Sequence, residues 1–162
     1  MTASLSIRPA VTEDATLLTD LALRSKAYWG YSQSFMDACR DELTVTQSLL
    51  EHDDLSYWVA SRDSEVLGFY ALARLTPETL ELDALFVDPS SMGQGVGKAL
   101  MEHAQSRASA LGGEQMIIHS DPHAVDFYIT FGATQSGTLA SGSIPGRNLP
   151  LLTISLSQHY GR

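Results

Sequence analysis

The sequence predicts an α/β fold of the α+β kind, with a mostly antiparallel mixed sheet of about seven strands flanked by about four helices. Three features carry that expectation. Between Ser56 and Val87 the segments SYWVAS, VLGFYALARL and TLELDALFV are joined by the polar turns RDSE and TPE, the pattern of successive antiparallel strands. Two later segments, 96–111 and 121–132, have helical spacing, and a short strand, EQMIIHS, lies between them. The last two strand-like stretches, ATQSGTLAS and LPLLTISL, flank the loop GSIPGRN as a hairpin.

Taken in chain order, SLSIRPA is a short first strand. Thr12 then caps a helix with Glu13 and Asp14 in its first turn and Leu17, Leu18, Leu21 and Ala22 on one face. SKAYWGYS, with bulky aromatics around Gly30, breaks the helical pattern and reads as an exposed loop. FMDACRDELTVTQSLLEHDD is helical but interrupted, because the β-branched Thr44, Val45 and Thr46 stand in its middle. After the three strands comes a helix with Val96, Ala99, Leu100, Ala104, Ala108 and Leu111 on one side, ended by Gly112 and Gly113. Asp121 as N-cap and Pro122 at the first position open the next helix, which Gly132 ends. The order is β-α-α-β-β-β-α-β-α-β-β. No linker, repeat or low-complexity tract divides the 162 residues, so one domain is expected over 1–162.

With 44% hydrophobic and 18% charged residues the composition is that of a globular protein, and no apolar run approaches the roughly 20 residues of a membrane span. The amino terminus, MTASLSIRPA, lacks the basic-then-apolar pattern of a secretion signal, so a cytoplasmic protein with no membrane partner is expected. A net charge of −9 speaks against a nucleic-acid partner, since binding polyphosphate draws on a basic surface. It tolerates a small cationic substrate. The single cysteine, Cys39, has no partner for an intrachain disulfide or a CxxC pair and is expected to be buried and inert. His119 and His123 are spaced neither for one helix face nor for a zinc knuckle, and no metal is expected.

The segment Met92-Gly93-Gln94-Gly95-Val96-Gly97-Lys98 stands between a strand and a helix. Alternating glycines remove side chains where the backbone turns, so successive N–H groups can point at one ligand. The free first-turn donors of the helix favour an anion there, with phosphate or pyrophosphate the natural occupant. Lys98 opposes the helix dipole, a small penalty that a nearby phosphate relieves. The P-loop pattern fails, because Met92 stands five residues before Gly97 and Ala99 follows Lys98; the GxGxxG pattern fails because its last position falls on Lys98 or Leu100. A glycine-rich turn that holds no ligand remains the alternative.

The same segment resembles the acetyl-coenzyme A loop of the GNAT N-acetyltransferase superfamily, [QR]-x-x-G-x-[GA]. Other marks of that superfamily stand around it in order: an opening IRPA…ED, a strand ending LFVDP before the loop, and DPHAVDFYITFGA after the next strand, which resembles N-x-x-A-x-x-F-Y-x-x-x-G-F. The resemblance covers nearly the whole chain. It implies a GNAT-like domain whose two central strands splay apart and whose co-substrate is acetyl-coenzyme A, bound by Met92, Gly93, Gln94, Gly95, Val96, Gly97 and Lys98 together with Asp121, Ala124 and Phe127. Two positions depart from the pattern: Met92 replaces the family's Arg or Gln, and Asp121, near the family's Asn, replaces a donor-acceptor amide with an acceptor-only carboxylate.

Acetyl transfer to an amine needs a base, because an alkyl ammonium of pKa near 10 must lose a proton before it attacks. Glu81, which alternates with Leu80 and Leu82 and matches the strand position of the family's glutamate, is the first candidate, with Asp83 on the same side the second. A half-exposed strand accounts equally for Glu81. The resemblance places oxyanion donors on the main chain of Leu85, Phe86 and Val87, and the acid that protonates the thiolate on Tyr128, which otherwise reads as a buried partner of Phe127 and Phe131. His119, at the end of a central strand, could see the co-substrate. The acceptor is expected to be an amine of a small molecule or peptide. Trp29 and Tyr31, with Tyr28 less defined, would wall its pocket unless they pack in the core, and Arg147 in GSIPGRNLP would pair with a substrate carboxylate or cap its own loop. Similar proteins are commonly homodimers, so a homodimer is a further expectation. The alternative to an enzyme is an acyl-coenzyme A-binding module that senses its ligand without turnover.

Overall fold

Alternation along the central strands decides the architecture. In the computed structural model, which describes residues 4–156, β1 (Ser6–Pro9), β2 (Leu55–Arg62), β3 (Glu65–Arg74) and β4 (Thr79–Val87) form an antiparallel meander, and β5 (Gln115–His119) adds to β4 in parallel. The hairpin β6 (Thr134–Ala140) and β7 (Asn148–Ser155) completes a seven-stranded sheet of order β1-β2-β3-β4-β5-β7-β6. The α/β class, the strand count and the mostly antiparallel mixed sheet are as expected.

β3 shows why helices cover both faces. Tyr70 and Leu72 pack with α4 (Val96–Ala110), whereas Phe69 and Ala71 pack with α1 (Ala15–Ala27), and none of the four is more than 1% exposed. A strand apolar on both sides needs cover on both. The parallel β4–β5 step requires a crossover, and α4 supplies it while burying Leu100, Met101, Ala104 and Ala108 completely. α1 buries Leu18, Leu21, Ala22 and Ser25. Leu17 is 47% exposed, a correction to the expected face: the buried stripe continues from Leu18 and Leu21 to Ser25.

The helix starts also differ in detail. Thr12 lies inside a 3₁₀ turn, Thr12–Asp14, and the Asp14 carboxylate accepts from the Val11 N–H (2.8 Å) and from Arg8 (2.9 Å). The segment after the aromatic loop divides into α2 (Gln33–Leu43) and α3 (Gln47–Leu50), whose N-caps Ser32 and Thr46 accept from Phe35 N and Leu49 N. This is the interruption expected at Thr44–Thr46, and it makes five α-helices among the described residues where about four were expected. α1 runs on through Ser25-Lys26-Ala27, so only Tyr28 to Ser32 form the loop. Asp121 caps a 3₁₀ turn, Pro122–Ala124, which leads into α5 (Val125–Ile129).

Two irregularities of β4 position the site. Its pairing with β5 is confined to Thr79↔Gln115, Leu80↔Met116 and Glu81↔Ile117, although β4 continues to Val87. The strands therefore splay. Against β3 the register passes from Leu72↔Leu82 to Ala71↔Ala84, which leaves Asp83 as the extra residue of a bulge. Leu80 and Leu82 lie in the core on the α4 side, and past the bulge Ala84 and Phe86 pack on the α1 side while Leu85 and Val87 pack on the α4 side.

Gly68 sits where β3 meets the end of β4 and α4. A Cβ there would stand 2.8 Å from the Phe86 carbonyl oxygen, 3.0 Å from Leu100 and 3.1 Å from Val96. Gly68→Ala is expected to lower stability by about 1–3 kcal/mol through overpacking against backbone, read as a lower denaturant midpoint with unchanged slope.

Candidate active site

The splay opens a cavity of about 670 Å³ that reaches both faces of the sheet. On the α4 side it is walled by the glycine segment, Ala124, Phe127 and Tyr128; on the α1 side by Tyr57, Phe69, Val45 and Glu42.

The wall at the start of α4 is made of unpartnered donors. Gly93 (φ +78°) and Gly95 (φ +84°) hold left-handed backbone with open space at the Cβ position, and Gly97 lets the Phe127 ring approach to 3.4 Å of where a Cβ would stand. None of the main-chain N–H groups from Gly93 to Lys98 finds a hydrogen-bond acceptor among the described residues; the first helical bond at this end is Ala99 N to Gly95 O. Met92 and Lys98 also line the cavity. Gln94 and Val96 do not: Gln94 accepts from Arg62 (3.4 Å), and Val96 is buried in the core.

The gap continues along the end of β4. Asp88 N donates to Leu67 O (2.8 Å), so by antiparallel alternation Phe86 and Ala84 turn their main-chain groups to β3, and Leu85 and Val87 turn theirs into the gap. Phe86 contributes its ring to the cavity wall instead. Tyr128, carried by α5, is 6% exposed, and its hydroxyl has no hydrogen-bond partner among the described residues. Burial, and then the negative charge of Asp121, push its pKa well above the ordinary tyrosine value, which keeps it protonated.

Three ionisable groups meet where the strands part. Asp83, on the bulge, lines the cavity; burial raises its pKa, Glu42 raises it further, and His119 opposes both. Glu81 does not line the cavity. It stands beside His119, with Oε2 3.4 Å from Nδ1, and is likewise raised by burial and by Asp83 while His119 lowers it. His119 itself lines the cavity. Tyr57 also lines it, 9% exposed and pushed up to about 12 by burial and by Asp83.

Asp121 binds groups from three other segments. Its carboxylate accepts from Lys26 (2.5 Å), Tyr31 (2.8 Å) and the His123 N–H (2.9 Å), and Arg147 lies at 3.6 Å. Burial works to raise its pKa, but the Lys26 ammonium and the His123 N–H outweigh it and hold the carboxyl far below the usual range. Arg147 donates to the Tyr31 hydroxyl (3.0 Å) and lies over the rings of Tyr31 (5.3 Å) and Phe35 (4.8 Å). Arg147 and Tyr31 are thus committed to this network and lie outside the cavity wall, whereas Trp29 lines the cavity and stacks on His123 at 4.8 Å. Glu42, Tyr57 and Lys26 carry no local signal in the sequence, because only tertiary packing brings them to the gap.

A family model described as an acetyltransferase (GNAT) domain matches residues 19–140. The chain is similar to peptidyl-lysine N-acetyltransferase YjaB of Salmonella typhimurium, 38% identical over 98 residues, 60% of this chain and 62% of that protein. It is also similar to peptidyl-lysine N-acetyltransferase YiaC of Escherichia coli, 29% identical over 122 residues, 75% of this chain and 78% of that one. The chain spans about 62% of the length of the YjaB relatives it matches. Among solved structures, the PaiA N-acetyltransferase of Thermoplasma acidophilum in complex with coenzyme A superposes with a TM-score of 0.76 at 19% identity, covering 94% of this chain and 99% of that one. A GNAT family acetyltransferase from Elizabethkingia anophelis with acetyl-CoA bound gives 0.65 at 19% identity, covering 94% and 98%. At these identities the structural likeness is one of fold.

Asp121→Ala strands two cations that are only 14% (Lys26) and 18% (Arg147) exposed, and is expected to cost about 2–4 kcal/mol. A depressed folded-state pKa adds stability above the unfolded value and loses it as pH falls toward the folded one. Below about pH 4, denaturation curves of the wild type should therefore steepen in their loss of stability, and those of Asp121→Asn should be flatter.

Proposed function

Because the chain belongs to the GNAT acetyltransferase family, we propose that it transfers an acetyl group from acetyl-coenzyme A directly to a primary amine within a ternary complex. The observation that carries this reading is the row of unpartnered amides from Gly93 to Lys98 at one end of a cavity whose other end holds carboxylates. Those amides, with Lys98 beside them, fit a diphosphate at a helix start. Ala124 and Phe127 wall the path from there to the gap. The thioester, when bound, supplies an activated acetyl carbonyl and a thiolate leaving group.

The chain's own groups do the rest. Asp83 opens on the cavity and takes the ammonium proton at its carboxylate; its raised pKa brings it closer to the amine's and so improves it as a base. Glu81 acts behind it, holding His119 in place beside the opening. The N–H groups of Leu85 and Val87 face the place where the carbonyl oxygen gathers negative charge. Tyr128, held protonated, donates its hydroxyl hydrogen to the departing sulfur. The acceptor is an alkyl amine of lysine type, on a peptide or a small molecule; the acidic cavity wall and the peptidyl-lysine activity named for YjaB and YiaC support it.

Titration with acetyl-coenzyme A, followed by a screen of amines for free-thiol release, tests the reading; binding without thiol release from any amine would assign a non-catalytic acyl-coenzyme A-binding module. Tyr128→Phe should lower kcat on the order of a hundredfold while co-substrate affinity holds, and equal losses of both would remove its assigned role. With a raised base, the rise of kcat/KM with pH should be centred above the ordinary aspartate value of about 4. In Asp83→Asn that limb should vanish along with most of the rate; an unchanged profile would shift the base to Glu81.

A further inference from the structure

The α1 side of the cavity holds more negative charge than transfer to a simple amine requires. Asp83 has no hydrogen-bond or ion-pair partner among the described residues. Glu42, carried by α2, lines the same cavity; its Oε2 accepts from the Ser143 hydroxyl (2.8 Å) and pairs with no cation there. The two carboxylates are close enough for Glu42 to raise the Asp83 pKa. The cations that line the cavity have other commitments: Lys26 bonds Asp121, His119 faces Glu81, and Lys98 stands in the first turn of α4 with the glycines.

Tyr57 is the second, independent observation. It lies on β2, 9% exposed, lines this part of the cavity, and leaves its hydroxyl without a hydrogen-bond partner among the described residues. That hydroxyl opens on the cavity, where a ligand atom can complete it. Beside it Val45, Leu49 and Phe69 give the same wall an apolar stretch. Two anions and an unmatched hydroxyl around an apolar passage are complementary to a methylene chain with a cation at each end.

Resting on the acetyl-transfer reading above, we propose that the acceptor is dicationic, with the reacting amine at Asp83 and a second cation held by Glu42 while the connecting alkyl chain lies against Val45 and Leu49. When the reacting amine gives up its proton, Asp83 becomes neutral. Glu42 stays negative and goes on holding the second charge, so a dication remains anchored throughout the step, whereas a monoamine leaves Glu42 without a counter-charge. The shared chemistry is a primary amine with a second cation an alkyl chain away, supplied by a free linear diamine or by a lysine beside another basic residue.

Calorimetric titration of the full chain in the presence of coenzyme A reads this without turnover. 1,4-Diaminobutane should bind at least about tenfold more tightly than butylamine, and the advantage should shrink with added salt. In Glu42→Gln, shown to be folded by its melting curve, the ratio of the two affinities should fall to within about twofold of one. Capped lysine peptides with Arg or Ala beside the lysine make the same comparison for a peptide source. A preference for the dication in either series supports the proposal and names the source; equal affinities in both series, no binding in either, or a preference untouched by Glu42→Gln overturns it. Thiol release measured in parallel separates this from the parent reading. Tight diamine binding without thiol release removes acetyl transfer alone, and release from mono- and diamines at equal kcat/KM removes the dication alone.

Discussion

The end of hydrogen bonding between β4 and β5 after Glu81↔Ile117 is the constraint from which the site follows. Past that pair β4 keeps only β3 as a neighbour, so the N–H groups of Leu85 and Val87 face a gap, where a buried donor demands a partner that no strand supplies. The Asp83 bulge adds a change of phase. An unbulged strand would carry Ala84 to the α4 face after Leu82; the extra residue keeps it and Phe86 on the α1 face and aims Asp83 into the opening. One missing ladder and one inserted residue thus create both the cavity and the chemistry of its narrowest part.

A gap in a sheet closes or widens unless something sets its width, and α1 does so from its last turns. Arg24 reaches Asp88, just beyond the end of β4 (2.6 Å), and Lys26 reaches Asp121, just beyond the end of β5 (2.5 Å). The two contacts differ in strength. Arg24 is half exposed, which leaves its pair screened by water, while Lys26 and Asp121 are both largely buried and Tyr31 adds a further donor. The acidic residue at position 121 has a physical reason here: an amide would accept from Tyr31 and the His123 N–H but would leave the charge of Lys26, and of Arg147 nearby, uncompensated.

The sheet was largely legible in the sequence because strand period, turn residues and strand order are local properties, and β2, β3 and β4 lie where SYWVAS, VLGFYALARL and TLELDALFV place them. The glycine segment was legible for the same reason. Leu17 misled because its neighbours suggested a broader apolar stripe than α1 buries; a single exposed leucine costs little and leaves no trace in periodicity. The strand face of Glu81 was readable, but its partner His119 was not, since that contact depends on the parallel register of β4 and β5. Tyr31 and Arg147 have residue types that suit a substrate pocket equally well, and only the position of Asp121 decides that they bond each other. Glu42 and Tyr57 come from elements far apart in the chain, and no spacing rule connects them to Asp83.

Two buried tyrosines on opposite faces of the sheet show how the fold concentrates incomplete polar contacts in one place. Tyr128 on the α4 side and Tyr57 on the α1 side both line the cavity, and neither hydroxyl has a partner among the described residues. Two other buried polar side chains are matched within the fold: Tyr70 meets His103 (2.6 Å), and Asp14 meets both Arg8 and the Val11 N–H. Each hydroxyl opens on the cavity, so water can meet it there until a ligand takes its place. A nearby protein acceptor would take up either hydroxyl, at the expense of a donor aimed into the passage. Both tyrosines stay protonated because burial raises their pKa values, so each offers a hydrogen at neutral pH from its own side of the gap. The site therefore presents amides and one hydroxyl on the α4 face, carboxylates and the other hydroxyl on the α1 face, and a passage between them that the sheet itself leaves open.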